Sequence, residues 1–351
     1  MRALTYAAFG APLEVAEVPD AVAPPGGAVV RVLASGLCRS DWHGWMGHDD
    51  DITTFPHVPG HELAGVVDSV GDGVDPSWVG RRVTAPFVMA CGACAVCAAG
   101  DGQVCPHQRQ PGFTDPGSFA ELVVVHAAPT NLVALPAGLD ERGAAGLGCR
   151  VATAHRAVVS RAAVRGGESV VVFGAGGVGL AAVAVARSRG ARVCAVDVSA
   201  ASLDRALLNG ADEVVDASIG PEKVVAAVSH WSGGGAHVSI DAVGSPEACR
   251  TGILSLRRRG RHVQVGLLPP AAGRAAQPME RVIGWELDVL GSHGMAAADY
   301  AALLDDVVSR RLVLADLLAP EEPLGLAEAG EALAAMGTSP SSGIVLVDPT
   351  R

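Results

Sequence analysis

"GGESVVVFGAGGVGLAAVAVARSRGARVCAVDVS" occupies residues 166–199 and decides how the rest of the chain is read. Ser169–Phe173 is an almost unbroken apolar, valine-rich run, the pattern of a parallel strand buried on both faces. Gly174-x-Gly176-x-x-Gly179 follows at once, then an alanine-rich helix to about Arg189, closed by Gly190. A second strand, Arg192–Val196, ends at Asp197. Glycines so placed let the backbone turn sharply and approach a pyrophosphate seated at the helix N-terminus. Gly174, Gly176, Gly177, Val178 and Gly179 are therefore dinucleotide-binding candidates. The carboxylate of Asp197 suits the ribose hydroxyls and repels a 2′-phosphate, and no arginine follows directly in "DVSAAS", so the expected cofactor is NAD rather than NADP. Residues 169–186 carry no charge and meet the lower length limit for a membrane span. Four glycines within 174–179 make them a strand, a turn and a buried helix instead.

Outward from this unit, "ADEVVDA" (211–217), "HVSIDAVG" (237–244), "RHVQVGLL" (261–268) and "LDVLGSHG" (287–294) read as further strands. Helix-like "PEKVVAAVSHW" and "PEACRTGILSLR" stand between them. Alternating strands and helices predict a doubly wound parallel sheet over residues 151–289, with Val243 and Gly266 near two strand ends as further cofactor candidates. Residues 1–150 read as β-rich, with short strands in "AVVRVLASG", "LAGVVDSVG" and "GRRVTAPFV" between glycines and prolines. Residues 290–351 hold helices in "AADYAALLDDVVSRRL" and "LAEAGEALAAM" and a last strand in "GIVLVD", and are expected to rejoin the first domain. Apolar residues make up 49% of the 351, enough for full cores and too many for a disordered chain. The net charge of −11 speaks against a nucleic-acid partner. "MRALTYAAFGAPLEV" has no long apolar run of the secretory kind, so a cytoplasmic chain without a membrane partner is expected.

Four of the eight cysteines fall in "CGACAVCAAGDGQVC", residues 91–105. In a reducing compartment the spacing Cys91-x2-Cys94-x2-Cys97-x7-Cys105, with small residues between, fits one tetrahedral zinc; an iron–sulfur cluster is the other use of four thiolates. A closed four-thiolate site has no open position and so holds structure rather than catalysing. Cys38 in "GLCRSDWHG" (36–44), His61 in "PHVPGHELAG" (56–65) and Cys149 in "GLGCRVATAH" (146–155) form a possible two-cysteine, one-histidine set. Each of them alone also reads as a buried thiol or a hydrogen-bonded histidine. Cys194 and Cys249 read as core or surface thiols.

"GLCRSDWH", "VPGHELAG", the cysteine lobe, "GLGCRVATAH" and "FGAGGVG", in this order and spacing, resemble the zinc-dependent medium-chain alcohol dehydrogenases along the whole chain. The resemblance implies a Rossmann-type doubly wound sheet inserted into a β-rich GroES-like catalytic domain. It also implies reversible hydride transfer between a small alcohol and NAD, with two zinc ions per chain. By the same resemblance Cys38, His61 and Cys149 hold catalytic zinc, Glu62 approaches it and eases ligand exchange, and Cys91, Cys94, Cys97 and Cys105 hold structural zinc. Ser40 takes the substrate proton and His43 ends the relay, Asp41 bonds the zinc-bound histidine, Arg39 meets cofactor phosphate, and Thr153 packs beside the nicotinamide. Ser341, Ser342 and Gly343 stand where some members carry a basic residue for cofactor phosphate. The short Cys105–Cys149 connection matches tetrameric members more than dimeric ones. Trp42, Trp45, Phe87, Phe119 and Leu290 are pocket candidates, and the acidic "HDDD" at 48–51 lies near the expected pocket mouth. Competing readings are a zinc-free reductase, which lacks the Cys38–His61–Cys149 set, a dehydrogenase for a specialised or thiol-carrier-bound substrate, and a non-enzymatic zinc module.

Overall fold

The computed structural model describes residues 1–268, 276–337 and 343–351. Its contacts divide the chain into two units, one of Met1–Ala152, Gly294–Arg310 and Leu318–Arg351, the other of Thr153–His293 and Arg311–Leu317.

In the first unit β1 (Arg2–Thr5) and β2 (Glu14–Glu17) form an antiparallel pair. The main sheet is built on β3 (Ala28–Leu37), which pairs antiparallel with β4 (Leu63–Val70), β6 (Leu122–Val125) and the last strand, Val345–Val347. β5 (Arg82–Thr84) and β7 (Val133–Ala134) extend it beyond β4. Within "GRRVTAPFV" only Arg82–Thr84 is strand, because Pro86 has no N–H to continue a ladder. Alternate side chains of β3 and β4 bury Val30, Val32, Leu63 and Val67 against Met89 and Val123. A second cluster joins Leu4, Leu37 and Phe119 to Leu326, Leu333 and Met336 of the helix Leu326–Ala335 and its end, which fixes the C-terminal segment to this unit. Phe119 is fully buried there, a correction to its reading as a pocket residue: a large apolar ring gains more from the core than from a solvent-facing wall.

The second unit carries a six-stranded, all-parallel sheet of β8 (Ser169–Phe173), β9 (Arg192–Asp197), β10 (Glu213–Asp216), β11 (Ala236–Asp241), β12 (Leu256–Gln264) and β13 (Asp288–Gly291). The order is β10-β9-β8-β11-β12-β13, the doubly wound arrangement whose switch point lies between β8 and β11. All five residues of β8 are buried, as its unbroken apolar run requires. Helix Gly177–Ser188 follows β8 after three residues and buries Leu180, Ala182, Val183 and Ala186. β12 begins five residues before "RHVQVGLL", because helix Pro246–Leu254 stops early and the chain turns into the sheet at Leu256. Arg311–Leu317, expected with the first domain, belongs to this unit, where the Arg205 guanidinium donates to the Asp316 carbonyl at 3.2 Å. Among the described residues no helix is long and apolar enough to cross a membrane.

Candidate active site

β3 ends at Leu37, which leaves Cys38 at its tip as the cap of the helix Arg39–Trp45. His61 and Glu62 immediately precede β4, and the β3–β4 ladder brings them alongside, with the Gly36 N–H donating to the Glu62 carbonyl at 3.0 Å. Cys149 comes from Leu147–Val151, a π-type helical turn, a wide geometry that recurs at functional sites. The Phe87 amide bonds the Gly148 carbonyl and the Tyr300 hydroxyl bonds the Leu147 carbonyl, both at 2.9 Å, and these bonds fix that turn. Ligand atoms of Cys38, His61, Glu62 and Cys149 all lie within 4.8 Å of one another, and all four residues are buried.

His61 Nδ1 lies 2.7 Å from Asp41 Oδ1. Asp41 also accepts from the Cys38 and Gly60 amides at 3.0 and 3.1 Å. A carboxylate at Nδ1 fixes the tautomer and leaves the Nε2 lone pair free. His61 Nε2 is buried and has no hydrogen-bond partner among the described residues. Such an orphan is costly unless something coordinates it. The Cys38 thiol is held well below the usual thiol range, chiefly by hydrogen bonding with Cys149 and against burial, while the same contact pushes Cys149 up. One imidazole nitrogen and two sulfurs make the donor set of a three-ligand zinc site.

Glu62 faces the cluster, yet both of its oxygens are occupied by Arg150. The guanidinium donates from Nε at 3.0 and 3.1 Å and from Nη2 at 2.5 Å, and the Arg150 backbone N–H adds a bond at 2.9 Å. Burial pushes the Glu62 carboxyl above its ordinary value and Arg150 opposes that shift. Acceptance on both oxygens is the geometry of a carboxylate.

The second cluster is local. Cys94 and Cys97 sulfurs are 3.5 Å apart, Cys94 and Cys105 3.8 Å, and Cys91 and Cys97 3.9 Å, with all four thiols free of disulfides. One tetrahedral ion with bonds of about 2.3 Å spaces its sulfurs about 3.8 Å apart. The lobe therefore fits a single zinc and not a cluster whose cysteines sit on separate irons. Amides of Cys91, Cys97 and His107 donate to the sulfurs at 3.4–3.5 Å.

In the second unit, Gly174 leaves β8 with φ +87°, and a Cβ at Gly179 would stand 1.7 Å from the Gly174 carbonyl oxygen. Gly176 caps the helix, and a Cβ there would meet nothing within 4 Å. The first glycine is thus demanded by its left-handed backbone and the third by packing, and the second faces open space at the helix N-terminus, ahead of Gly177 and Val178, where a pyrophosphate fits. Asp197 accepts from the Ala175 and Ser199 amides at 2.7 and 2.9 Å, which holds its carboxylate at the end of β9. Val243 donates its N–H to Asp241 at 2.8 Å, and Gly266 approaches Gly244 so closely that a Cβ would lie 2.2 Å from its nitrogen.

Comparison with known proteins places the chain in a family. The family described as "Alcohol dehydrogenase GroES-like domain" matches residues 24–137, and "Zinc-binding dehydrogenase" matches residues 177–309. A sorbitol dehydrogenase of Halalkalibacterium halodurans is 34% identical over 300 residues, covering 83% of each chain. The chain belongs to the zinc-binding alcohol dehydrogenases. An alcohol dehydrogenase of Geobacillus stearothermophilus is 35% identical over 77% of this chain and 78% of that one. The solved alcohol dehydrogenase TADH of Thermus sp. ATN1 superposes with a TM-score of 0.88 at 29% identity, covering 99% of both chains.

In this alcohol dehydrogenase Ser40 Oγ lies 3.8 Å from Cys38 Sγ. His43 Nδ1 meets His48 Nδ1 at 3.0 Å. Burial, then His48 and Arg39, hold His43 below its ordinary pKa, which favours the neutral imidazole. Arg39 donates to the Met336 carbonyl at 3.1 Å and lies 5.8 Å from the Trp42 ring centre. Thr153 Oγ1 is buried with no partner among the described residues. Phe87 stands edge-on to His61 at 6.0 Å. Trp42 and Trp45 pack on the Leu37–Leu333 core, and Trp45 donates to the Ala11 carbonyl at 2.8 Å, the behaviour of packing residues. Leu290 is a residue of β13. Ser341 and Ser342 lie outside the described residues. Sequence reasoning missed Arg150 and the pairing of His48. A lone arginine in the apolar string "GLGCRVATA" was the available signal for the first; nothing local marks the second.

Proposed function

We propose that this enzyme oxidises small alcohols to aldehydes or ketones, reversibly, with NAD, using Cys38, His61 and Cys149 to hold its catalytic zinc. The observation that carries the reading is the buried, unpartnered Nε2 of His61, a residue clustered with two cysteine sulfurs, with Asp41 fixing Nδ1. Zinc held there supplies Lewis-acid chemistry. Asp41 keeps the imidazole in one tautomer and orientation. Ser40 stands beside the cluster to take a proton, and neutral His43 passes it toward His48. Two facing Nδ1 atoms share one proton between them, so the pair is a natural exit to water. Asp197 supports NAD over NADP. Cys91, Cys94, Cys97 and Cys105 hold the structural zinc, and the two units serve as catalytic and dinucleotide-binding domains, with Arg39, Thr153, Val243 and Gly266 toward the cofactor. β13 ends its sheet, and Ile283 and Val289 nearby are 73% and 47% exposed, which supports a homo-oligomer, a tetramer in our reading.

The test is a cofactor-reduction screen with NAD and NADP against primary, secondary, aromatic and polyol alcohols, repeated after chelation. Chelator-sensitive reduction of NAD is expected. Activity indifferent to removal of a measured second zinc would overturn the mechanism. Silence across the panel in protein holding two zinc ions would direct the search to a specialised or carrier-bound substrate.

A further inference from the structure

Arg150 is buried at 4% exposure, and its partner Glu62 is fully buried. Its contacts reach each of the three segments that carry a ligand candidate. Its backbone follows Cys149 directly. Its Nη1 donates to the carbonyl of Leu37, the residue before Cys38, at 3.0 Å. Its Nε and Nη2 hold the carboxylate of Glu62, the residue after His61. Gly36 leaves the space this requires: a Cβ there would stand 2.0 Å from Glu62 Oε2 and 2.6 Å from Arg150 Nη2.

Glu62 is also within reach of the cluster, since its carboxylate oxygen is among the ligand atoms that lie within 4.8 Å of one another. A carboxylate is a good zinc ligand, and as a fourth ligand it would close the position a substrate oxygen needs. A bidentate guanidinium competes directly for those oxygens, with a fixed fork that lysine cannot reproduce. We propose that Arg150 is a positioning residue that keeps Glu62 turned away from the metal and so holds the fourth coordination position open. Replacing Arg150 frees the carboxylate to occupy it; replacing both residues removes the competitor and reopens it.

The inference rests on the metal assignment made above, and the experiment separates the two. The catalytic zinc is exchanged for Co²⁺, whose visible bands report coordination, and imidazole is titrated as an external ligand. The parent spectrum is expected to shift with imidazole. In Arg150→Met the shift should need at least tenfold more imidazole, and Arg150→Met/Glu62→Gln should return to within threefold of the parent. That double variant leaves no unpaired buried charge and is the one expected to fold well. If Arg150→Met alone does not fold, Arg150→Lys replaces it, with at least a threefold loss of imidazole response. Gly36→Ala, which drives a methyl into the pair, should act in the same direction. A parent that takes up no cobalt beyond the four-cysteine lobe would remove the metal assignment and this proposal with it, whereas cobalt bound at the buried cluster that does not respond to imidazole would overturn only the role of Arg150. A responsive parent with equally responsive Arg150 variants would overturn only the role of Arg150, as would a double variant no better than the single one.

Discussion

The two metal-fitting clusters of this chain are built on opposite plans. The lobe takes four ligands from fifteen consecutive residues, and backbone amides of the same loop donate to its sulfurs. The other cluster takes ligands 23 and 88 residues apart, from a strand tip, a strand start and a π-type turn. The first is closed by four cysteines and can only hold a fold. The second has three strong ligands and one restrained carboxylate, and so can do chemistry. A local site orders its own loop, whereas a dispersed one exists only once the sheet has brought its segments together.

The largest effect that follows is on the lobe. Cys97→Ser should unfold residues 91–105 or prevent soluble expression, because a structural zinc contributes on the order of 10 kcal/mol to such a loop. A variant with the parent's melting temperature and one zinc fewer would break the contrast. Cys38→Ser should do the reverse: catalytic zinc and at least about 10³-fold of kcat are lost, roughly 4 kcal/mol of barrier, with little change in melting temperature. Unchanged turnover would remove the catalytic assignment. Asp41→Asn keeps the shape but weakens the bond to His61 Nδ1, and about 10–100-fold in metal affinity or activity should follow. Competition with a zinc-sensitive dye measures it.

The smallest effect concerns the base of the lobe, where Met89 and Arg109 exchange two backbone hydrogen bonds. Asp115 there bonds Arg109 and Thr114 and lies 3.2 Å from His126. Burial alone would raise its pKa, but His126, Arg109 and Thr114 overcome it and hold the carboxyl well below its ordinary value. A depressed carboxylate contributes stability that is present above the unfolded pKa of about 3.9 and lost as pH falls through the folded value. Asp115→Asn should therefore cost about 1–2 kcal/mol at pH 6, with the gap to the parent closing below pH 4. Urea midpoints at pH 6 and pH 3 read this, and a gap that does not narrow between them would assign the loss to packing.

The same division governs what the sequence could tell. The lobe, the glycine turn and Asp197 were legible because their partners are local: spacing alone puts four sulfurs on one ion, and a strand, a glycine turn and a helix must follow one another to make the cradle. Cys38, His61 and Cys149 were legible as a possible ligand set, which a family resemblance then singled out, since nothing in a 23-residue gap says that β3 and β4 are neighbours. The tertiary structure alone decided that Phe119 is core, that Arg311–Leu317 belongs with the dinucleotide sheet, and that His48 meets His43. It also decided that Arg150, an unremarked charge in an apolar string, holds Glu62 from across the unit. The physical reason is one of range: backbone geometry and ligand spacing act over a few residues and are written in order along the chain, whereas burial and ion pairing depend on which distant segments the sheet brings together.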